Sequence, residues 1–236
     1  MFLTLVKIVL LFPVSLVLSI GAFLVSPFDR NGKLFRWFPW IWAKIILWTF
    51  GIRVIVKGLE HIENGKPYIF VSNHASMADI PAVMLALNGN VNIVFKKSLT
   101  YIPIWGWALR FGTFIMIDRS NPRDAIHSID RAAQSIRNGH SVIMFAEGTR
   151  TIDGKLQPFK RGAFSLAMKA RVSVVPLTIN NTFKILPKGS LNVKPTDISM
   201  VLEKPINTDR LNGKNGEMKL MQQVHKAIEK HYINQL

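Results

Sequence analysis

Tyr68-Ile69-Phe70-Val71-Ser72-Asn73-His74-Ala75-Ser76-Met77-Ala78-Asp79 is the stretch that decides the fold. It opens on a continuously apolar run, the pattern of a strand covered on both faces rather than one that alternates inside and outside. The run gives way to a short polar loop, and an apolar helix follows. Ser76 is placed to cap that helix, and Pro81 suits a position near its start. A buried strand that ends in a polar loop and hands over to a helix is one unit of an alternating α/β chain.

The same unit recurs outward in both directions. Candidate strands fall at 53–56, 68–72, 91–95, 113–117, 141–145, 173–179 and 198–202. The clearest helix covers 122–137, with Asn121 as N-cap and Pro122 in the first helical position. Ala125, Ile126, Ile129, Ala132, Ala133 and Ile136 form one apolar face, and Asn138-Gly139 stops it. Further helices are predicted over 161–170 and 217–232. The alternation predicts a mostly parallel central sheet flanked by helices, with ligands gathered at the carboxyl ends of the strands.

The first fifty residues differ in kind. Residues 8–28 carry no formal charge, and as a helix they reach roughly 30 Å, close to one hydrocarbon core. Ser19-Ile20-Gly21-Ala22 offers small residues for a signal-peptide cleavage, but the apolar run exceeds an h-region of about 7–15 residues. Between Arg36 and Phe50 lie four of the six tryptophans, with Lys44 among them, the composition of an interfacial helix. A buried helix with tryptophan as packing mass is the alternative. The chain therefore divides into two hydrophobic membrane-associating helices at 1–50 and an α/β body at 51–236. The basic residues that follow favour the cytoplasmic side for the body.

Composition narrows the function classes. In 236 residues, 30 Lys and Arg oppose 14 Asp and Glu, a formal net charge of +16, and mean hydropathy is +0.22. Such a field attracts nucleic acid, acidic lipid or a phosphorylated substrate. The hydrophobic head favours lipid, and no nucleic-acid motif accompanies the charge. Cysteine is absent, so the chain has no disulfide, no thiolate metal site and no cysteine nucleophile. No metal-ligand constellation stands out either.

Three strand-end stretches carry candidate chemistry. In the first, His74 and Asp79 would point about 140° apart on a regular helix. They meet only if His74 stays in the loop and Asp79 lies in the first helical turn. A histidine held by a carboxylate has a fixed tautomer and suits a general base acting on a hydroxyl. Asp79 could instead be only the partner of Ser76 in a capping box. The second stretch is Phe145-Ala146-Glu147-Gly148-Thr149-Arg150, in which glycine admits a ligand close to backbone and arginine presents a planar fork to phosphate. The third is Gly112-Thr113-Phe114-Ile115-Met116-Ile117-Asp118-Arg119, a strand ending in an opposite-charge pair.

Together these stretches resemble the motifs of the 1-acylglycerol-3-phosphate acyltransferase family of glycerolipid acyltransferases. Asn73-His74-x4-Asp79 is similar to its catalytic motif, residues 114–119 to its second, and residues 145–150 to its Phe-Pro-Glu-Gly-Thr-Arg third. Val174-Val175-Pro176-Leu177 looks like its fourth, a Val-Pro-hydrophobic strand. The motifs keep the family's order over roughly residues 52–205. The head also looks like the two-helix membrane motif of bacterial members. Ala146 departs from the family's proline, a change expected to loosen the loop.

The resemblance implies transfer of an acyl group from acyl-CoA or acyl carrier protein to the sn-2 hydroxyl of a lysophospholipid acceptor, with no cofactor or metal. His74 would be the base and Asp79 its orienting partner. Arg150 is the first candidate for the acceptor phosphate, followed by Lys96 in Phe95-Lys96-Lys97-Ser98-Leu99, with Arg119 weaker. Glu147, Gly148 and Thr149 would complete the acceptor loop, Glu147 organising it or hydrogen-bonding the acceptor rather than binding the phosphate, because two anions repel. Glycerol-3-phosphate or another lyso-lipid would need similar residues. A lipid esterase would need an activated serine, and no Gly-x-Ser-x-Gly elbow exists. A non-enzymatic basic protein binding membrane or nucleic acid explains the charge but not the motifs. The expected location is a membrane rich in anionic lipid, on the cytoplasmic face of a bacterial inner membrane.

Overall fold

The computed structural model describes residues 2–29, 31–117 and 122–234. Two helices come first, α1 (Phe2–Val25) and α2 (Trp37–Phe50). The chain then alternates through β1 (Val54–Lys57), β2 (Ile69–Ser72), α3 (Asp79–Ala86), β3 (Asn92–Lys96) and α4 (Trp105–Phe111). It continues with β4 (Ile115–Ile117), α5 (Pro122–Arg137), β5 (Val142–Phe145), α6 (Gly162–Ala170) and β6 (Val174–Asn180). One turn of helix, α7 (Thr182–Ile185), precedes β7 (Ile198–Leu202) and the closing helix α8 (Gly213–Glu229). All seven strands fall within two residues of their predicted limits. Asn121, the expected cap of α5, lies outside the described residues.

The strands form one sheet in the order β1-β7-β6-β2-β5-β3-β4. Every neighbouring pair is parallel except β6 and β7, so the sheet is mixed rather than parallel throughout. The link from β6 to β7 holds only α7, with no long helix to carry a crossover, and β7 returns alongside β6 in the opposite direction. Pro176 sits in β6 without breaking it. Its carbonyl accepts from Glu203 just beyond the end of β7, at the point where that ladder stops, so the missing N–H leaves no orphan partner.

Alternation along β2 sorts the core onto two faces. Phe70 joins Ile143, Val175 and Leu177 on one face, packed against Ala82, Val83 and Met84 of α3. Ile69 and Val71 join Val142 and Val174 on the other, beneath Ile136 of α5, Phe164 of α6 and Leu220, Val224 and Ile228 of α8. Both faces are covered, which is why these strands read as unbroken apolar runs.

The head meets the expectation of two membrane-associating helices in part. Among the described residues, α1 alone is long and apolar enough to cross a membrane by length and composition, and only about a tenth of its apolar window is buried. α2 is shorter, and its inner face belongs to the body: Ala43, Leu47 and Phe50 are buried in the same cluster as α3. Trp37 and Trp48 remain exposed on its outer side. The two helices are joined by Trp42, whose indole donates to Ser15 Oγ at 3.0 Å, and by Lys7, which donates to the Thr49 carbonyl at 2.7 Å.

Candidate active site

β2, β5 and β3 run in parallel and end at one edge of the sheet, at Ser72, Phe145 and Lys96. The loops that leave those ends therefore converge. Asn73 fixes the first loop: its amide donates to the Ile179 carbonyl and accepts from the Ile179 N–H, both at 2.8 Å, tying the end of β2 to β6.

His74 stays in that loop and Asp79 opens α3, so the two side chains meet. His74 Nδ1 donates to Asp79 Oδ2 at 2.7 Å. The same oxygen accepts the backbone N–H groups of Ala75 at 2.8 Å and Ser76 at 2.9 Å. Ser76 Oγ in turn accepts from the Ala78 N–H at 3.1 Å. The capping arrangement and the histidine pair are thus one structure, because a single carboxylate serves both. Asp79 is fully buried, whereas the His74 side chain is 15% exposed. With Nδ1 engaged, Nε2 is the nitrogen left to a substrate, and it has no partner among the described residues. The imidazole lies flat on the Phe145 ring, centroids 4.1 Å apart.

The loop after β5 grips the backbone of the same histidine. Glu147 Oε1 accepts the His74 N–H at 2.8 Å, and Thr151 N–H donates to the His74 carbonyl at 2.9 Å. Burial lifts the Glu147 carboxyl from 4.5 to about 7, against the lowering effect of the N–H groups of His74 and Gln157 and with a smaller upward push from Asp79 and Asp153. Its second oxygen, Oε2, is buried without a partner among the described residues. Ala146, which stands where the family has proline, is tied to the sheet. Its N–H donates to the Ser72 carbonyl at 2.9 Å, extending the β2–β5 ladder by a bond that proline could not make. Gly148 has φ of +73°, and a Cβ there would stand 2.9 Å from the Lys160 stem.

Cations surround this edge. Arg150 is half-buried and makes no ion pair among the described residues. Lys188 donates to Thr149 Oγ1 at 3.4 Å, and the Lys160 ammonium borders Gly148. Lys96 is exposed at the end of β3. Arg119 lies outside the described residues. Lys160 and Lys188 were not singled out from the sequence, since both stand far from the motifs they adjoin and lysine is common throughout the chain. Phe145 was also missed as a stacking partner, because an apolar strand residue reads the same whether it meets core or imidazole.

Two apolar cavities open beside the loop. One of 350 Å³ lies among α1, α2, α4 and β3, with Phe95, Leu99 and Phe114 in its wall. The other, of 540 Å³, lies between α1 and α2 and reaches Ile185 and Val193. Both are lined by Trp42 and by Met77, three residues beyond His74. The site thus joins an imidazole–carboxylate pair, a cationic rim and apolar volume. That combination can deprotonate a hydroxyl on a molecule with an anionic head and a hydrocarbon tail.

Comparison with known proteins agrees with this geometry. Residues 53–180 match the Acyltransferase family. The chain is 36% identical over 182 residues to the chloroplastic 1-acyl-sn-glycerol-3-phosphate acyltransferase BAT2 of Brassica napus, covering 76% of this chain and 52% of that protein. It is 40% identical over 167 residues to the 1-acyl-sn-glycerol-3-phosphate acyltransferase of Limnanthes douglasii, covering 70% and 58%. The enzyme of that name from Saccharomyces cerevisiae is 32% identical over 180 residues, covering 73% and 59%. The chain spans about half the length of the curated relatives it matches. The crystal structure of the 1-acyl-sn-glycerophosphate acyltransferase PlsC from Thermotoga maritima superposes with a TM-score of 0.80 at 24% identity, over 97% of this chain and 94% of that one.

Proposed function

The chain belongs to the acyltransferase family, and from that premise we propose that it acylates the sn-2 hydroxyl of 1-acylglycerol-3-phosphate to give phosphatidic acid, drawing on acyl-CoA or acyl carrier protein. The observation that carries this reading is the His74–Asp79 pair with Nε2 left open, beside a loop that presents an unpaired Arg150. Nε2 takes the proton of the acceptor hydroxyl as its oxygen attacks the thioester carbonyl. The tetrahedral intermediate collapses with cleavage of the carbon–sulfur bond, and the imidazolium returns the proton to the departing thiol. Asp79 holds the ring and stabilises its charged form. No residue is acylated on the way, in keeping with a chain that lacks cysteine.

Arg150 is positioned to take the acceptor phosphate in a bidentate manner, with Lys96, Lys160 and Lys188 adding charge around it. Glu147 organises the loop through the His74 backbone. The apolar cavities beside Met77 have the lining that the hydrocarbon chains of donor and acceptor require. α1 sits in lipid, and the site works on the cytoplasmic face of a bacterial inner membrane, where both amphiphilic substrates partition. No metal or bound cofactor takes part.

The test is a panel of acceptors with the purified protein and labelled acyl-CoA. 1-Acylglycerol-3-phosphate should be acylated in preference to glycerol-3-phosphate and to lyso-lipids without a free phosphate. His74→Ala should lower turnover by at least about a hundredfold, and Asp79→Asn by a comparable factor, both remaining folded. A folded His74→Ala protein with near-normal turnover would refute the mechanism.

A further inference from the structure

We propose that α4 and the turn before it form a second lipid-contacting element, one that α1, once in lipid, brings against an anionic membrane so that it seats the catalytic body there. The segment concentrates exposed apolar mass on the body: Tyr101 is 74% exposed, Trp107 46% and Phe111 57%, with Ile102 and Trp105 also open. Its inner side is equally apolar. Ala108 is buried, and Leu99, Trp105 and Leu109 line the cavity beneath. A helix with apolar mass on both its inner and its outer side requires cover on both, and the body covers only one.

The chemistry of the outer side identifies what covers the other. Three of the five exposed residues are Tyr or Trp, side chains with an apolar body and a polar tip that settle at the headgroup level of a bilayer. Arg110 is exposed among them and Lys96 at the near end of β3, charges suited to acidic headgroups. The patch is also continuous with α1. Phe23 of α1 packs against Trp107 at 6.2 Å and against Phe111 at 5.6 Å between ring centroids. A bilayer that receives the outward face of α1 therefore meets α4 at the same level. Because Leu99 and Trp105 line the apolar cavity, the contact also brings that cavity's wall to the lipid surface.

This inference rests on the membrane location argued above, and the test separates the two. The chain has no cysteine, so single cysteines can report through an environment-sensitive fluorophore in the full-length protein. Tyr101→Cys and Trp107→Cys probe the patch. Val17→Cys on the exposed side of α1 probes the anchor, and Lys219→Cys on α8, across the sheet, serves as the aqueous reference. With phosphatidylglycerol vesicles, labels at 101, 107 and 17 should shift to the blue and be quenched by nitroxide-bearing lipid, while 219 stays open to iodide. A lipid-quenched label at 17 with iodide-quenched labels at both 101 and 107 overturns the second contact and leaves the anchor standing. Iodide quenching at all four positions overturns both.

Discussion

His74 is fixed at four points: Asp79 on Nδ1, Phe145 beneath the ring, Glu147 on the backbone N–H and Thr151 on the carbonyl. The residues of the third motif therefore act on the histidine as well as on any ligand, and the variants must be read accordingly. The Arg150 side chain makes no hydrogen bond or ion pair to these groups among the described residues, so Arg150→Ala should raise the KM for 1-acylglycerol-3-phosphate by roughly ten- to a hundredfold, the weight of a charged hydrogen bond. Arg150→Lys should recover only part of that, because an ammonium lacks the planar fork. Selective weakening of acyl-CoA instead would assign the loop to the donor. Glu147 gives a pH signature. Its folded-state value of about 7 lies above the ordinary 4.5, so the folded protein holds a proton that the unfolded chain has released. The stability that this proton represents is full below about 4.5 and is lost as pH rises through about 7, on the order of 3 kcal/mol in all. The Tm difference between wild type and Glu147→Gln should follow that window, and a difference independent of pH would show that folding leaves the Glu147 carboxyl at its ordinary value. The elevated value also softens the objection that a carboxylate there must repel phosphate, since much of it is neutral near pH 7.

At the scale of elements, the strands were legible because burial on both faces leaves continuous apolar runs that turn residues bound sharply. Helices α5, α6 and α8 were legible from the same apolar logic at helical spacing. α4 was not, since seven residues give barely two turns and all but Arg110 are apolar or glycine, without a period to read. α2 shows the opposite limit. Tryptophan content marks its exposed side, yet nothing local reveals that Ala43, Leu47 and Phe50 pack on α3, because that contact depends on a helix more than thirty residues away. The consequence is measurable. Leu47 is 2% exposed, so Leu47→Ala should destabilise the protein by about 2–5 kcal/mol in chemical denaturation. Deletion of residues 1–50 should cost more, by stripping one wall of the core. A truncated body that unfolds with wild-type cooperativity and midpoint would show that α2 contributes nothing to it.

At the scale of the whole molecule, two forces can hold this protein to a membrane, and they respond differently to salt. The formal charge of +16 attracts anionic headgroups from solution, but at 1 M ionic strength the Debye length falls to about 3 Å and that attraction is screened. Apolar burial of α1 is not screened. The full chain should therefore stay with phosphatidylglycerol vesicles through a 1 M salt wash. Leu10 and Val17 lie on one exposed side of α1, two turns apart, and belong to none of the core clusters. Leu10→Asp with Val17→Asp leaves the hairpin packing of Ser15 on Trp42 intact and places two carboxylates where lipid is expected. Each costs about 2.5–3.5 kcal/mol near the centre of a membrane helix, while the net charge stays strongly positive. The double variant should still sediment with anionic vesicles at low salt, fail to do so with neutral ones, and wash off at 1 M. Wild-type protein that washes off under the same conditions would show that charge alone holds it and that α1 lies outside the bilayer.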